Sequence, residues 1–178
     1  AGAIGSGNST TAKRLAAELG YTHFSSGDLF RAIAKERGVS IEEINKQAEL
    51  EQEIDRAVDD RLKQLYDRSE LVVDSRLAYH WMPESFKVYL TIDPRLAAER
   101  IYYGIKREGR VSQNADSVEA VRVATEERYE SEKKRYRDLY GIDFDDHSMF
   151  DLTIDTGKHQ LDMVLKIIID AYQTWLKE

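Results

Sequence analysis

The stretch that decides the fold is Gly2-Ala3-Ile4-Gly5-Ser6-Gly7-Asn8-Ser9-Thr10-Thr11. It follows the pattern G-x-x-x-x-G-K-[ST] at Gly2, Gly7 and Ser9, and departs from it where Asn8 stands in place of lysine. In that pattern glycines let successive backbone N–H groups face the phosphates of a nucleoside triphosphate, the lysine reaches the outer phosphates, and the hydroxyl binds Mg²⁺. Gly2, Gly5, Ser6, Gly7, Asn8, Ser9 and Thr10 are thus candidate triphosphate-binding residues, with Ser9 a candidate metal ligand. Glycines and serine so closely spaced also make a plain turn. A helical pattern starting at Ser9 or Thr10 favours the phosphate site, because free N–H groups and the positive dipole end of a helix attract an anion.

Outward from the loop, strand-forming segments are expected over 21–24, 71–74, 86–92 and 152–155, each ending at a polar or glycine-containing turn. Helical patterns lie between them: 9–19 before Gly20, 40 to about 65 opening on the Ser40 and Glu43 capping spacing, one after Pro94, and one from near Asp116 to Tyr140 before Gly141. A last helix carries Leu161, Val164, Leu165, Ile168, Tyr172, Trp175 and Leu176 on one face. Alternating strands and helices imply right-handed crossovers and a parallel sheet with helices on both faces. A phosphate loop of this kind follows a buried strand, yet the sequence opens at Ala1 inside the loop. The first strand is therefore expected to be missing, by truncation or dropped residues, with neighbouring strand edges left unpaired.

Two further constellations stand at strand ends, where open α/β sheets bind ligands. Ser25-Ser26-Gly27-Asp28-Leu29-Phe30-Arg31 offers a hydroxyl, a glycine turn and an arginine able to hold a phosphate bidentately. A helix-capping serine followed by a solvated arginine is the plainer alternative. Val72-Val73-Asp74-Ser75-Arg76 places Asp74 to take a Mg²⁺-bound water and Arg76 to reach a second phosphate, with a local Asp–Arg pair as the alternative. A cationic group follows: Lys106, Arg107 and Arg110 around Gly109 in a polar stretch over about 104–117, a candidate lid, and Arg128 and Arg135 roughly 10 Å apart along one helix face. Such arginines can neutralise charge on a transferring phosphoryl group, although Glu126, Glu127, Glu130 and Glu132 lie close enough to occupy some of them. His23, His80, His147 and His159 are too dispersed for a metal cluster, and Tyr129, Tyr136 and Tyr140 read as packing.

The bulk numbers bound these readings. At 178 residues, with 42% hydrophobic and 33% charged residues, the chain suits one soluble domain, and no apolar run approaches a membrane span. Zero cysteines exclude disulfides and thiolate chemistry and fit a reducing, cytoplasmic setting. A net charge of −7 argues against broad nucleic-acid binding while leaving room for a basic cleft around a small phosphorylated ligand.

In order along the chain, these pieces resemble the P-loop nucleoside-monophosphate kinases, and most closely the archaeal-type cytidylate kinases. The resemblance covers nearly the whole chain. It rests on Gly5-Ser-Gly-Asn-Ser-Thr-Thr-Ala-Lys-Arg-Leu15, Ser25-Ser-Gly-Asp-Leu-Phe-Arg31, Asp74-Ser-Arg-Leu-Ala78, Ala97-Ala-Glu-Arg-Ile101, Lys106-Arg-Glu-Gly109, Arg128-Tyr-Glu-Ser-Glu-Lys-Lys-Arg-Tyr136, Leu139-Tyr-Gly-Ile-Asp143 and Phe150-Asp-Leu-Thr-Ile-Asp-Thr156. It implies transfer of the ATP γ-phosphoryl group to CMP or dCMP, with Mg²⁺, on a three-layer α/β P-loop NTPase fold of one domain. That domain would have monophosphate-binding helices over about 26–68 and a lid over about 104–117. Carried over by position, the glycine loop and Ser9 hold ATP and metal, Ser26, Asp28, Arg31 and Arg76 hold the monophosphate, and Arg107, Arg128 and Arg135 cover the transfer zone. The family usually has glycine at the position of Ser75 and another near Tyr79, so a crowded or reshaped substrate wall is expected. With Asn8 neutral and short, three accounts stay open: a slow kinase, a kinase-derived protein that binds nucleotide or a partner without turnover, or a misread lysine codon.

Overall fold

The computed structural model describes residues 1–108 and 116–177, apart from the side chains of residues 42 and 108. Of the expected lid, the part over 109–115, with Gly109 and Arg110, lies outside the described residues. The chain runs α1 (Asn8–Leu19), β1 (Thr22–Ser25), α2 (Ser26–Arg37), α3 (Ile41–Leu50), α4 (Gln52–Lys63), β2 (Leu71–Asp74), α5 (Ala78–Trp81), β3 (Val88–Thr91), α6 (Pro94–Glu108), α7 (Val118–Tyr140), β4 (Leu152–Asp155) and α8 (Leu161–Trp175). This is the expected mixed α/β architecture with parallel strand pairing.

Local chemistry sets the element ends. Gly20, Gly38 and Gly141 close α1, α2 and α7 at positive φ, where a side chain would be strained. Ser25, Ser40 and Ser117 cap α2, α3 and α7 by accepting from the N–H three residues on. The single helix expected over 40–65 is two. Glu51, at φ −115 and ψ 87, ends α3 and starts α4. The apolar phase does not mark the break, because Ile44, Ala48, Ile54, Val58 and Leu62 would share one face of a continuous helix. The short α5 follows β2 without a side-chain cap and carries too weak a periodicity to be expected from sequence. In α8, Val164, Leu165 and Ile168 are buried as the stripe requires, whereas Leu176 lies past the helix end and is exposed.

Strands pair as β1 with β2, register Thr22↔Leu71 to Ser25↔Asp74, and β3 with β4, register Val88↔Leu152 to Thr91↔Asp155. Among the described residues the two pairs are separate. Residues 1–3 run beside β3, with Ala3 N donating to Leu90 O at 2.8 Å and Leu90 N to Ala1 O at 3.0 Å. A slot of about 570 Å³ lies between β2 and β3, lined also by Leu15 of α1 and Ile168 and Tyr172 of α8. The core is correspondingly divided. Leu90, Ile154, Val164 and Ile168 join β3, β4 and α8, while Ala34, Ile44, Ala48 and Ile54 join α2, α3 and α4 beside the strand ends.

Candidate functional site

The glycine loop is built for close approach. Gly5 and Gly7 have φ 84 and 92, and a Cβ on Gly2 would sit 2.5 Å from Leu90 O. Ser6, 2% exposed, donates from Oγ to Ala3 O at 2.8 Å and closes the turn. Its carbonyl lies 2.9 Å from Thr156 Oγ1, and Arg100 grips Thr156 through Nη2 to the backbone oxygen at 2.7 Å. The loop is thereby anchored to the turn after β4. Gly7 offers no side chain to cap α1, so the first-turn N–H groups of that helix face the cleft with the positive dipole end. Asn8 does not extend along the lysine's expected path. Its Nδ2 donates to Ala3 O at 3.2 Å, folding the amide back over the loop.

The structure gathers most of the expected residues into one cleft of about 480 Å³: Gly2, Gly5, Gly7, Asn8, Ser9, Thr10, Ser26, Arg31, Asp74, Arg76, Arg128 and Arg135 all line it. Ser9 Oγ donates to Asp74 Oδ2 at 2.6 Å, so the hydroxyl and carboxylate named as metal ligands meet although 65 residues separate them. That is an oxygen donor set of the kind Mg²⁺ takes. Ser26 Oγ lies 3.4 Å from Asp74 O. Arg31 pairs with Asp28 at 2.5 Å, both about half exposed, and the Arg31 guanidinium holds the Asp28 carboxyl below its usual range.

Behind these groups stands a residue that sequence reasoning left among the helix's neutralising glutamates. Glu132, 3% exposed, accepts from Arg128 Nε at 2.8 Å through Oε1, and its Oε2 lies 3.0 Å from Arg76 Nε. The Arg76 contact is an ion pair rather than an aligned hydrogen bond. Burial opposes the charged form of Glu132, but Arg76, Arg128 and Arg135 outweigh it and hold the carboxyl below its ordinary value. Arg76 also donates to Gly2 O, which ties this arginine to the glycine loop.

Two members of the expected transfer-zone set sit differently. Arg107, at the C-terminal end of α6, is exposed and does not line the cleft. Arg135 lines it but is 6% exposed and committed, with Nε 2.9 Å from Asp55 Oδ2 and Nη1 3.2 Å from both Asn45 O and Ser131 Oγ. Asp55 and Asp59, absent from the expected set, also line the cleft and are each 4% exposed. Burial pushes Asp55 up to about 6 against the pull of Arg135, and burial raises Asp59 while the Tyr140 hydroxyl, 2.5 Å away, opposes it. A signal existed in the sequence: these two aspartates flank Val58 on the apolar side of α4, where a solvated face is not expected. Of the two positions expected to crowd the substrate wall, Ser75 lines the cleft, its hydroxyl accepting from Leu77 N at 3.3 Å, whereas Tyr79 packs on Phe150 with ring centroids 4.9 Å apart. Among the described residues, Asp143 and Asp146 form local turns with Asp145 N and Ser148 N, and no cluster of three His, Asp or Glu side chains could hold a metal.

Residues 1–119 match the family model described as an AAA domain. The cytidylate kinase of Haloarcula marismortui is 40% identical over 178 residues, covering 98% of this chain and 88% of that protein. That of Pyrococcus abyssi is 41% identical over 169 residues, covering 94% of this chain and 88% of the relative. An uncharacterized protein from Eubacterium ventriosum of known structure superposes with a TM-score of 0.62 at 20% identity, over 97% of this chain and 94% of that one, and shares the fold. Fold, loop and relatives together define a P-loop phosphotransferase acting on nucleoside monophosphates. The chain belongs to the cytidylate kinase family.

Proposed function

We propose that this protein transfers the γ-phosphoryl group of ATP to CMP or dCMP, giving ADP and CDP or dCDP, with Mg²⁺. The observation that carries this reading is one continuous cleft. It joins the glycine loop and α1 N-terminus, the Ser9–Asp74 pair, and the arginines Arg31, Arg76 and Arg128 to a walled compartment formed by α2, α3, α4 and α7. The loop N–H groups hold the triphosphate. Mg²⁺ held at Ser9 and Asp74 would draw charge from the phosphates. Ser26, Asp28, Arg31 and Arg76 orient the acceptor phosphate, and Arg128 faces the charge that develops between donor and acceptor. No protein nucleophile is needed, because positioning and charge neutralisation supply most of the catalysis in phosphoryl transfer. Arg107 enters this scheme only as a residue beside the cleft. The helices over 26–68 act as the monophosphate-binding unit, and the acidic, cysteine-free chain suits a cytoplasmic enzyme.

A second reading, nucleotide binding without turnover, is favoured by Asn8, whose amide is spent on Ala3 O. A coupled assay with ATP, Mg²⁺ and a panel of CMP, dCMP, UMP and AMP separates the two. Turnover of CMP and dCMP is expected. ATP binding without turnover of any monophosphate would support the second reading and overturn the first.

A further inference from the structure

Asn45 is out of place in α3. It is 9% exposed and shares a helix face with Ile41 and Ala48, about one turn away on either side, which pack in the apolar cluster of α2, α3 and α4. Alanine or leucine would favour both the helix and the cluster, so packing does not account for an amide here. The orientation of that amide is fixed. Its Nδ2 donates to Ile41 O at 2.8 Å, and because a carbonyl oxygen only accepts, the other end must be Oδ1. Among the described residues no donor reaches that oxygen, and Asn45 lines the cleft. The cleft thus holds a nearly desolvated acceptor of set direction whose partner the chain does not supply, and such a group is costly unless a ligand satisfies it.

Its place narrows the ligand group. On one side Asn45 stands a turn from Ile41, which with Phe30, Val58 and Leu77 makes the apolar part of the cleft. On the other, its backbone oxygen accepts from Nη1 of Arg135 at 3.2 Å, on the helix that also carries Arg128. In a nucleoside monophosphate the sugar lies between ring and phosphate, and its hydroxyls are donors. The 2′-hydroxyl neighbours the glycosidic bond and so falls nearer the apolar part. We propose that Asn45 Oδ1 accepts from the 2′-hydroxyl of the acceptor nucleotide, so that the site binds ribonucleotides more tightly than 2′-deoxyribonucleotides. This assignment rests on the reading of the cleft as the acceptor-nucleotide site given above.

The test is equilibrium binding to the full chain, by titration calorimetry at pH 7.5, of CMP, dCMP and 2′-fluoro-2′-deoxy-CMP, whose fluorine fills the place of the hydroxyl but donates nothing. CMP binds about tenfold or more tighter than both analogues, the effect of leaving one nearly buried acceptor unpaired, and dCMP remains a substrate at higher concentration. Either analogue binding as tightly as CMP would overturn the assignment while leaving the monophosphate site in place. Failure of all three to bind would overturn the underlying reading as well. Asn45→Leu keeps the side-chain volume and removes the acceptor. CMP then binds no better than dCMP, and an undiminished preference would also overturn the assignment. A ratio of two ligands on one protein is not moved by a general loosening of α3, and where the variant fails to fold the wild-type series alone decides.

Discussion

Glu132→Gln removes one charge at nearly constant volume and tests whether a buried carboxylate organises the arginines of the cleft. The carboxyl is 4% exposed and faces Arg128 Nε at 2.8 Å and Arg76 Nε at 3.0 Å, whose side chains are 42% and 19% exposed. Removing one partner of a buried ion pair costs about 3–5 kcal/mol when the remaining charge stays buried. Arg128 has enough exposure to rehydrate, so its share is about 1 kcal/mol or less. Arg76 keeps Gly2 O as a partner but remains mostly buried, and the amide oxygen of Gln still accepts from one guanidinium. A loss of about 2–3 kcal/mol follows, read from urea melts at pH 7. Because the Glu132 carboxyl is held below its ordinary range, the stability it contributes is present above that range and lost as pH falls through the folded value. The gap between wild type and variant therefore narrows on acidification. In steady-state assays, loosening Arg76 raises the KM for CMP about tenfold, the effect of one weakened charged hydrogen bond. A stability change below about 0.5 kcal/mol, the range of an ordinary surface substitution, with an unchanged KM would refute the reasoning.

Three other outcomes are expected. Asn8→Lys restores a cation at the loop and raises kcat for CMP about 100-fold or more, by the magnitude of one electrostatic stabiliser, and an equal rate in both forms would show that another cation already fills the role. For Asp55, burial raises the folded carboxyl from 3.8 to about 6. Its contribution to stability is present below the unfolded value and lost as pH rises through the folded one, by about 3 kcal/mol. The stability of wild type relative to Asp55→Asn thus falls between pH 4 and 6 in urea melts, and a rise across that window would contradict the assignment. Gly7→Ala meets no atom within 4 Å but adopts φ 92, so it costs about 1–2 kcal/mol of backbone strain, whereas Gly2→Ala drives a Cβ to 2.5 Å from Leu90 O and costs more on the same melts.

Much of the fold was legible because it is written in short-range chemistry. Alternating apolar strands and amphipathic helices, serine caps and glycine stops mark β2 and β4 at their observed bounds and place both ends of α1 and α7 within two residues. The break at Glu51 was not legible, because the apolar stripe of α3 and α4 stays in phase across it and reads as one helix until the two segments pack. Unpaired strand edges were expected, but that β1 lies beside β2 and β3 beside β4 is a long-range matter that strand propensity does not encode.

The sequence by itself determined the chemical parts: a glycine loop with a hydroxyl after it, an aspartate at a strand end, and arginines along the chain. Only the tertiary structure decided how those parts are spent. A guanidinium looks alike in sequence whether it meets water, a phosphate or a buried carboxylate, and its role follows from partners that the fold delivers from distant positions. Packing of α7 against α3 and α4 commits Arg135 to Asp55, turns Glu132 into the brace of Arg76 and Arg128, and brings Asp55 and Asp59 into the cleft. Arg107, at the end of α6, lies outside the cleft, although its sequence neighbourhood is as basic as theirs.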